Sequence, residues 1–241
     1  MAKDYRPIAL TSVLSKTFER ATKPLLAKCL TDDSQFAYRE HRSTEDALTL
    51  LIDTVSAHLD ANSKDYAPCP FVDFSSAFNT ISPTLLIRKL KPMTIHNNMI
   101  NSIHSFLTNR KRWVAAEDAN SAIKSSSTCS PQGCVWSPIL FSIYVQDRPV
   151  PTMGNYQIIK YAYVTILVEL CYPDTPSTLP AATKHRTNWF SCQDLLINVS
   201  KTKELILTNK RDHRACEPVV LTDIAVEQVQ SFTYLGTTVN H

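Results

Sequence analysis

Only three glycines, Gly133, Gly154 and Gly236, serve a chain of 241 residues, where average usage is roughly 7%. Turns that need a positive φ are therefore left mostly to residues that resist it. Cysteine spacing gives no metal signature. None of the seven cysteines forms a Cys-x-x-Cys pair, and no Cys/His cluster has zinc spacing. The nearest pair, Cys129 and Cys134, flanks Ser130-Pro131-Gln132-Gly133 and reads as reduced thiols of an intracellular protein. No apolar run reaches the roughly 20 residues that a membrane span needs. The opening MAKDYRPIAL lacks the apolar core of a signal peptide, so the Asn198-Val199-Ser200 sequon is expected to be empty. Excess charge is also scarce: the net charge of +3 does not by itself demand a nucleic-acid partner. No small-molecule cofactor is indicated.

What is present is an ordinary globular composition, 44% apolar and 20% charged, enough to bury a sizeable core. Leu10, Val13, Leu14, Phe18, Leu25 and Leu26 fall mostly at helical spacing and predict a helix over 12–30. Ser43 precedes Thr44-Glu45-Asp46 as an N-cap, and Ala47, Leu48, Leu51, Ile52, Val55 and Leu59 repeat at three and four. Phe71-Val72-Asp73-Phe74 reads as a short buried strand after a proline-rich lead-in. Ser82-Pro83 opens a helix with Pro at its first position, and 95–108 is helical. Trp113 to Ile123 predicts a hairpin around Glu117-Asp118-Ala119-Asn120, and Ser137-Pro138 opens another helix. Tyr156 to Leu170 is β-branched and aromatic, two strands joined near Ala162-Tyr163-Val164. A helix over 181–197 and strands at 205–207 and 232–235 complete an α+β pattern, with a sheet covered on one face by helices.

Several segments, in order, resemble the reverse transcriptase domain of non-LTR retrotransposons. Asp4-Tyr5-Arg6-Pro7-Ile8 with Leu14-Ser15-Lys16, and Gln35-Phe36-Ala37-Tyr38-Arg39 with Arg42 to Ala47, are similar to the two fingers motifs. Phe71 to Ile81 resembles the first catalytic palm motif, and Ser130-Pro131-Gln132-Gly133-Cys134 with Ser137 to Phe141 the second. Ile159-Lys160-Tyr161-Ala162 stands where the third belongs. Asn188 to Leu195, Asn198 to Glu204 and Phe232 to Gly236 resemble the later helix and strands of the palm. The resemblance implies a right-hand polymerase fold with an antiparallel palm sheet. It divides the chain into fingers (1–70), palm (71–209) and the end of the palm with the start of a thumb connection (210–241). The thumb is expected to be absent or truncated, and no endonuclease domain or Cys/His knuckle is expected.

The resemblance also implies RNA-directed DNA synthesis on an RNA template or RNA–DNA duplex, with Mg²⁺. A primer 3′-hydroxyl attacks an α-phosphate in line, and two cations steady the attacking and leaving oxygens. Asp73 would be the first carboxylate. Phe78 would be the aromatic gate beneath the sugar, or a plain core aromatic. Gln132 and Gly133 would lie against template and nucleotide, or form a simple turn. Arg39 and Arg42 would neutralise phosphates. Lys201 or Lys203 would act near the leaving pyrophosphate.

The third palm motif departs from the pattern. Relatives read aromatic-Ala-Asp-Asp, whereas this chain reads Tyr161-Ala162-Tyr163-Val164. Asp73 is then the sole metal ligand, and neither Asp147 nor Glu169 matches the hairpin tip. His41 and Glu169 stand where glycine is usual, Ser130 where a small residue precedes Pro-Gln-Gly, and Trp136 where an aliphatic one is common. These residues predict a polymerase fold without useful polymerase activity. The competing expectation is a non-catalytic module gripping RNA or an RNA–DNA duplex, supported by the basic start, Arg110-Lys111-Arg112 and Lys210-Arg211.

Overall fold

The computed structural model describes residues 8–75, 77–116, 119–126, 130–147, 155–173, 175, 177–209 and 216–240. The opening Asp4 to Pro7 of the first motif, Ser76, Glu117-Asp118, Cys129, Gly154 and Lys210-Arg211 lie outside the described residues.

In chain order, α1 (Val13–Ala27) and α2 (Thr44–Ala61) precede β1 (Tyr66–Val72). A 3-10 turn at Ala77–Asn79 leads to α3 (Pro83–Leu90) and α4 (Asn97–Leu107). Four short strands come next, β2 (Arg110–Arg112), β3 (Ala115–Ala116), β4 (Ala119–Asn120) and β5 (Lys124–Ser126), then α5 (Trp136–Val145). β6 (Tyr156–Tyr161) and β7 (Val164–Glu169) form a hairpin before α6 (Leu179–Cys192) and β8 (Lys203–Thr208). The last elements are β9 (Val220–Leu221), β10 (Ile224–Ala225), β11 (Glu227–Val229), β12 (Ser231–Tyr234) and β13 (Thr237–Asn240).

These elements form two compact units that interleave along the chain. One takes Met1–Thr31 and Ser76–Asp147, the other Asp32–Ser75 and Arg148–His241. The contiguous boundaries expected after 70 and 209 do not match this division. β1 shares a sheet with β7 and β8, which draws residues 32–75 to the C-terminal half.

In the first unit, α1 begins at Ser12, whose side chain accepts from Ser15 N. Its apolar positions do not build a core as their spacing predicts. Leu10, Val13 and Leu14 are 93%, 78% and 83% exposed, and the buried residues of the helix are Glu19 and Leu26. The buried carboxylate has a structural task. Glu19 Oε2 accepts from Val135 N at 2.7 Å and Trp136 N at 3.0 Å, and Ser15 Oγ donates to Oε1 at 3.0 Å. α5 starts one residue before the expected Ser137, and its N-cap Val135 has no oxygen for the orphan N–H groups. An anion at that end also suits the helix dipole. Trp136 is likewise integrated: its Nε1 donates to Glu19 O and Thr22 Oγ1, both at 3.2 Å, and the edges of Phe18 and Phe106 meet it at 5.5 and 5.2 Å.

The second unit holds a five-stranded sheet in the order β11-β8-β1-β7-β6. Its pairings are antiparallel except at the β11 edge, which runs parallel to β8. Phe71, Ile159, Ile166, Val168 and Leu205 face Ala47, Leu51 and Val55 of α2, the helical cover expected from the sequence. Each such buried aliphatic side chain contributes about 1.5–3 kcal/mol. The opposite face is also closed, by Leu179 of α6 and by Val219, Leu221 and Val226 around the β9–β10 hairpin.

Local signals explain the element ends. At α2, Ser43 and Asp46 form a full capping box. α6 ends at Cys192 rather than running to 197. Asp194 adopts a φ of 55°, Asp194 N donates to Ser191 O, and Leu195 N donates to Phe190 O, a Schellman-type stop without glycine. β1 begins at Tyr66, so Pro68 and Pro70 lie inside the strand and not in a lead-in. A proline removes a ladder donor. Tyr66 exchanges backbone hydrogen bonds with Cys171, so alternation aims positions 68 and 70 at β7 as well. Pairing with β7 resumes at Phe71, and the unbroken β8 ladder on the other edge needs no donor from either proline.

Glu19→Ala is expected to lower the unfolding free energy by about 2–4 kcal/mol, from two stranded N–H groups at roughly 1–2 kcal/mol each. Urea denaturation of wild type and variant checks this.

Candidate active site

Asp73 comes directly after β1 and is half-buried. Its backbone is pinned from the segment before β8. Asp73 N donates to Thr202 Oγ1 at 3.2 Å, and Asn198 N donates to Asp73 O at 2.8 Å. Thr202 is fully buried and is itself fixed to Asn198 O through both N–H and hydroxyl. The turn from 198 to 202 therefore sets where the carboxylate stands.

The β6–β7 turn lies beside it in the same unit. The β1–β7 ladder ends at Val72↔Thr165, so Asp73 sits at the level of Val164 and the Ala162-Tyr163 turn. Ala162 adopts a φ of 54°, a left-handed conformation costly for a residue with a Cβ. Gln35, only 2% exposed, holds it there. Its Nε2 donates to Ala162 O at 3.2 Å, while its Oε1 accepts from Ala162 N at 3.0 Å and Ala37 N at 3.1 Å. Two residues earlier, buried Lys160 donates to Asp32 Oδ2 at 2.5 Å. Burial opposes ionisation of Asp32, but the Lys160 ammonium and the Ser34 hydroxyl and amide outweigh it and hold the carboxyl below its ordinary range. Residues 34–36 also pair with Lys160 through Lys160 N to Ser34 O and Phe36 N to Lys160 O, at 2.8 and 2.9 Å.

Tyr163 and Val164 are both half-buried at this tip. The Tyr38 hydroxyl is pushed up, first by burial and then by the neighbouring phenols of Tyr163 and Tyr161. This end of the hairpin thus carries phenols and an aliphatic side chain beside one carboxylate. A magnesium pair needs several hard oxygen ligands. Val164 supplies no oxygen and Tyr163 supplies a neutral one, so the donor set does not fit such a pair. Among the described residues, no three His, Cys, Asp or Glu side chains gather as a potential ligand set.

Two other acids have tasks elsewhere. Glu169 is five residues further along β7 than Val164, roughly 17 Å at strand rise. It accepts from Ser177 Oγ and from Thr178 N and Oγ1, at the start of α6. Burial opposes its ionisation, but these donors hold its pKa below the usual value. Asp147 is paired with Lys89 at 2.6 Å.

The cations proposed for phosphate contact have local partners. Arg39 Nη1 donates to Asp32 O at 2.8 Å and Asp33 Oδ1 at 3.2 Å. The Arg42 guanidinium lies 4.6 Å from the centre of the Phe36 ring. Lys203 Nζ meets Glu227 at 2.5 Å, whereas Lys201 is exposed on the turn that pins Asp73. His41 has a φ of 58°, which explains why glycine suits that position better.

Phe78, Gln132 and Gly133 belong to the other unit, where one loop joins them. Ser130 N donates to Phe78 O at 2.7 Å, and the Phe78 ring meets Phe141 edge-on at 5.7 Å. Ser130, where relatives have another small residue, is buried and donates to Ser137 Oγ at 2.7 Å. Ala9 N donates to Gln132 O at 2.8 Å. Gly133 has a φ of 99°, and a Cβ there would stand 2.9 Å from Ile8 Cγ2. The left-handed φ is what favours glycine there, since the exposed Ile8 side chain could give way to a Cβ.

Sequence reasoning gave no role to Asp32, Gln35, Lys160 or Thr202. The one signal was Lys160 itself, a charge in the otherwise apolar and aromatic run Ile158-Ile159-Lys160-Tyr161.

Residues 2–239 match the family model described as reverse transcriptase (RNA-dependent DNA polymerase). The chain is 27% identical over 244 residues to the probable RNA-directed DNA polymerase from transposon X-element of Drosophila melanogaster, covering 96% of this chain and 26% of that protein. It is 25% identical over 248 residues to the RNA-directed DNA polymerase from mobile element jockey of Drosophila funebris, covering 96% and 26%. The chain thus spans about a quarter of the length of these relatives. Among solved structures it resembles apo telomerase from Candida tropicalis truncated from its C-terminal domain, with a TM-score of 0.61 and 16% identity over 94% of this chain and 44% of the other. Telomerase from the same organism in complex with a TWJ fragment of telomeric RNA gives 0.60 and 14% over 95% and 36%.

Gln35→Ala is expected to destabilise the second unit by about 1–3 kcal/mol, since it strands the buried N–H of Ala37 and removes both partners of the half-buried Ala162 peptide groups. Hydrogen exchange should show the Ala162 amide losing protection. The pH dependence has a definite sign. The lowered Asp32 carboxyl contributes stability in full above the unfolded value of about 4, and that stability is lost as pH falls through the folded value. Asp32→Asn should flatten the acid limb of a plot of unfolding free energy against pH.

Proposed function

The chain belongs to the reverse transcriptase (RNA-dependent DNA polymerase) family, and from that we propose that it is a reverse transcriptase domain, of the kind found in non-LTR retrotransposons, that no longer polymerises. One observation carries the reading. Beside Asp73, the turn offers Tyr163 and Val164 where nucleotidyl transfer requires carboxylates. The reaction forms a bond between a primer oxygen and an α-phosphorus and releases pyrophosphate. Negative charge grows on the attacking and leaving oxygens, and paired metals stabilise it by several kcal/mol. Without ligands to hold both cations in place, a loss of about 5 kcal/mol slows the step roughly 10³- to 10⁴-fold.

The framework around the altered turn supports the same reading. The turn from 198 to 202 still fixes the Asp73 backbone, and Gln35 still fixes Ala162. Lys201 is the better of the two lysines for the pyrophosphate, because Lys203 is ion-paired.

Primer extension on a primed RNA template, with Mg²⁺ and deoxynucleotides, tests this directly. Wild-type protein should give no product above background, and Tyr163→Asp with Val164→Asp should raise the rate by 10³-fold or more. Wild-type extension at the rate of that double variant would overturn the reading.

A further inference from the structure

We propose that α1 of one copy docks on α2 of a second copy, so that the chain associates with itself through two helix faces of opposite charge. α1 leaves an apolar row in solvent. Leu14, Phe18, Ala21 and Leu25 follow one another at four, three and four residues, and all are exposed, Leu14 at 83%, Phe18 at 48% and Leu25 at 50%. That spacing is the seam of a helix pair, and a contiguous exposed apolar patch marks an interaction site. The exposed charges of this helix are all positive: Arg20 and Lys23 within it and Lys28 at its C-cap. Glu19, the one acid of α1, is buried and accepts from the start of α5. Among the described residues, no ion pair involves Arg20, Lys23 or Lys28.

α2 presents the counterpart. Its charged residues are Glu45, Asp46, Asp53 and Asp60, with no lysine or arginine among them, and its histidine is buried. Asp46, Asp53 and Asp60 recur every seven residues on the exposed face. Thr49, Ile52 and Ser56 stand beside them at spacings of three and four, also exposed. These short side chains leave gaps that the leucines of a second helix can enter. Asp53 and Asp60 have no ion pair among the described residues. The two faces therefore share a period and differ in sign. Like charges make α1 against α1 and α2 against α2 unfavourable, which leaves α1 against α2. An anionic membrane or a nucleic acid would accept the cations of α1 but would leave the face of α2 without a counterpart. One helix pair buries little area, so the association is weak and depends on concentration.

Sedimentation velocity of the nuclease-treated full chain, over about 1–100 μM, reads this association. The sedimentation coefficient of the wild type should rise with concentration and fall back at high salt. An α1 reversal, Arg20→Glu with Lys23→Glu and Lys28→Glu, should weaken self-association at least about tenfold. An α2 reversal, Asp53→Lys with Asp60→Lys, should do the same; Asp46 is left in place because it caps α2. Mixed in equal amounts, the two variants should associate again. The acidic α1 of one then meets the basic α2 of the other, and their two unaltered helices also attract. Leu14→Ser with Leu25→Ser removes exposed side chains, spares the core and should weaken association by about tenfold. Circular dichroism of each variant separates lost association from lost folding. A wild-type chain that stays monomeric throughout, an α2 reversal that associates like wild type, or folded variants that fail to recover on mixing would each overturn the proposal. None of these measurements depends on nucleotidyl transfer.

Discussion

A tight turn between two strands leaves peptide groups that its own ladder cannot satisfy, and it keeps its shape only when something outside satisfies them. In the second unit that role falls to the amide of Gln35. Its carboxamide reads both the N–H and the carbonyl of Ala162, in a residue held at a positive φ. The turn, the placement of Tyr163 and Val164, and their standing beside Asp73 all depend on that contact. Lys160 and Asp32 reinforce it two residues away, in a setting where burial alone would push the carboxyl up.

The same constraint separates the shape of this hairpin from the side chains it carries at its tip. The forces that position this hairpin are backbone hydrogen bonds, a buried amide and a buried ion pair. None of these hydrogen bonds and ion pairs involves the side chains at 163 and 164, although Val164 also packs against the core. Ligand identity and ligand placement are therefore separable here: the first can be exchanged by two substitutions while the second is specified by residues in other segments. Glu169 illustrates the limit. It is a carboxylate on the right strand, yet its hydrogen bonds to Ser177 and Thr178 commit it to starting α6, at the far end of β7 from Asp73.

Much of the fold was legible because its signals are local. The capping box at Ser43, the Pro83 start of α3 and the β-branched runs of β6 and β7 each depend on neighbours in sequence. What escaped were features whose partners lie far along the chain. Glu19 reads as part of a solvated helix face until α5 brings two N–H groups to it from more than a hundred residues away. Pro68 and Pro70 read as a lead-in to the strand until the ladder shows that both lie inside it, aimed at the edge where pairing lapses. The interleaving of the two units was hidden for the same reason. In the candidate site, the nearness of Asp73 to the Ala162-Tyr163 turn follows from two adjacent strands, whereas the clamp of Asp32, Gln35 and Lys160 could not be read, since spacing carries no trace of a contact between motifs.

Those two prolines bear on how the chain reaches its native state. β1 is the middle strand of its sheet, and both of its neighbours are made later, β7 beyond residue 163 and β8 beyond residue 202. Until then an apolar strand waits with open edges, the kind of segment that recruits foreign strands. Two missing amides on one edge deny an incoming strand its donors there, while the edge reserved for β8 stays intact. The strand thus carries a guard against mispairing on one edge, at the expense of donors toward β7 and none toward β8.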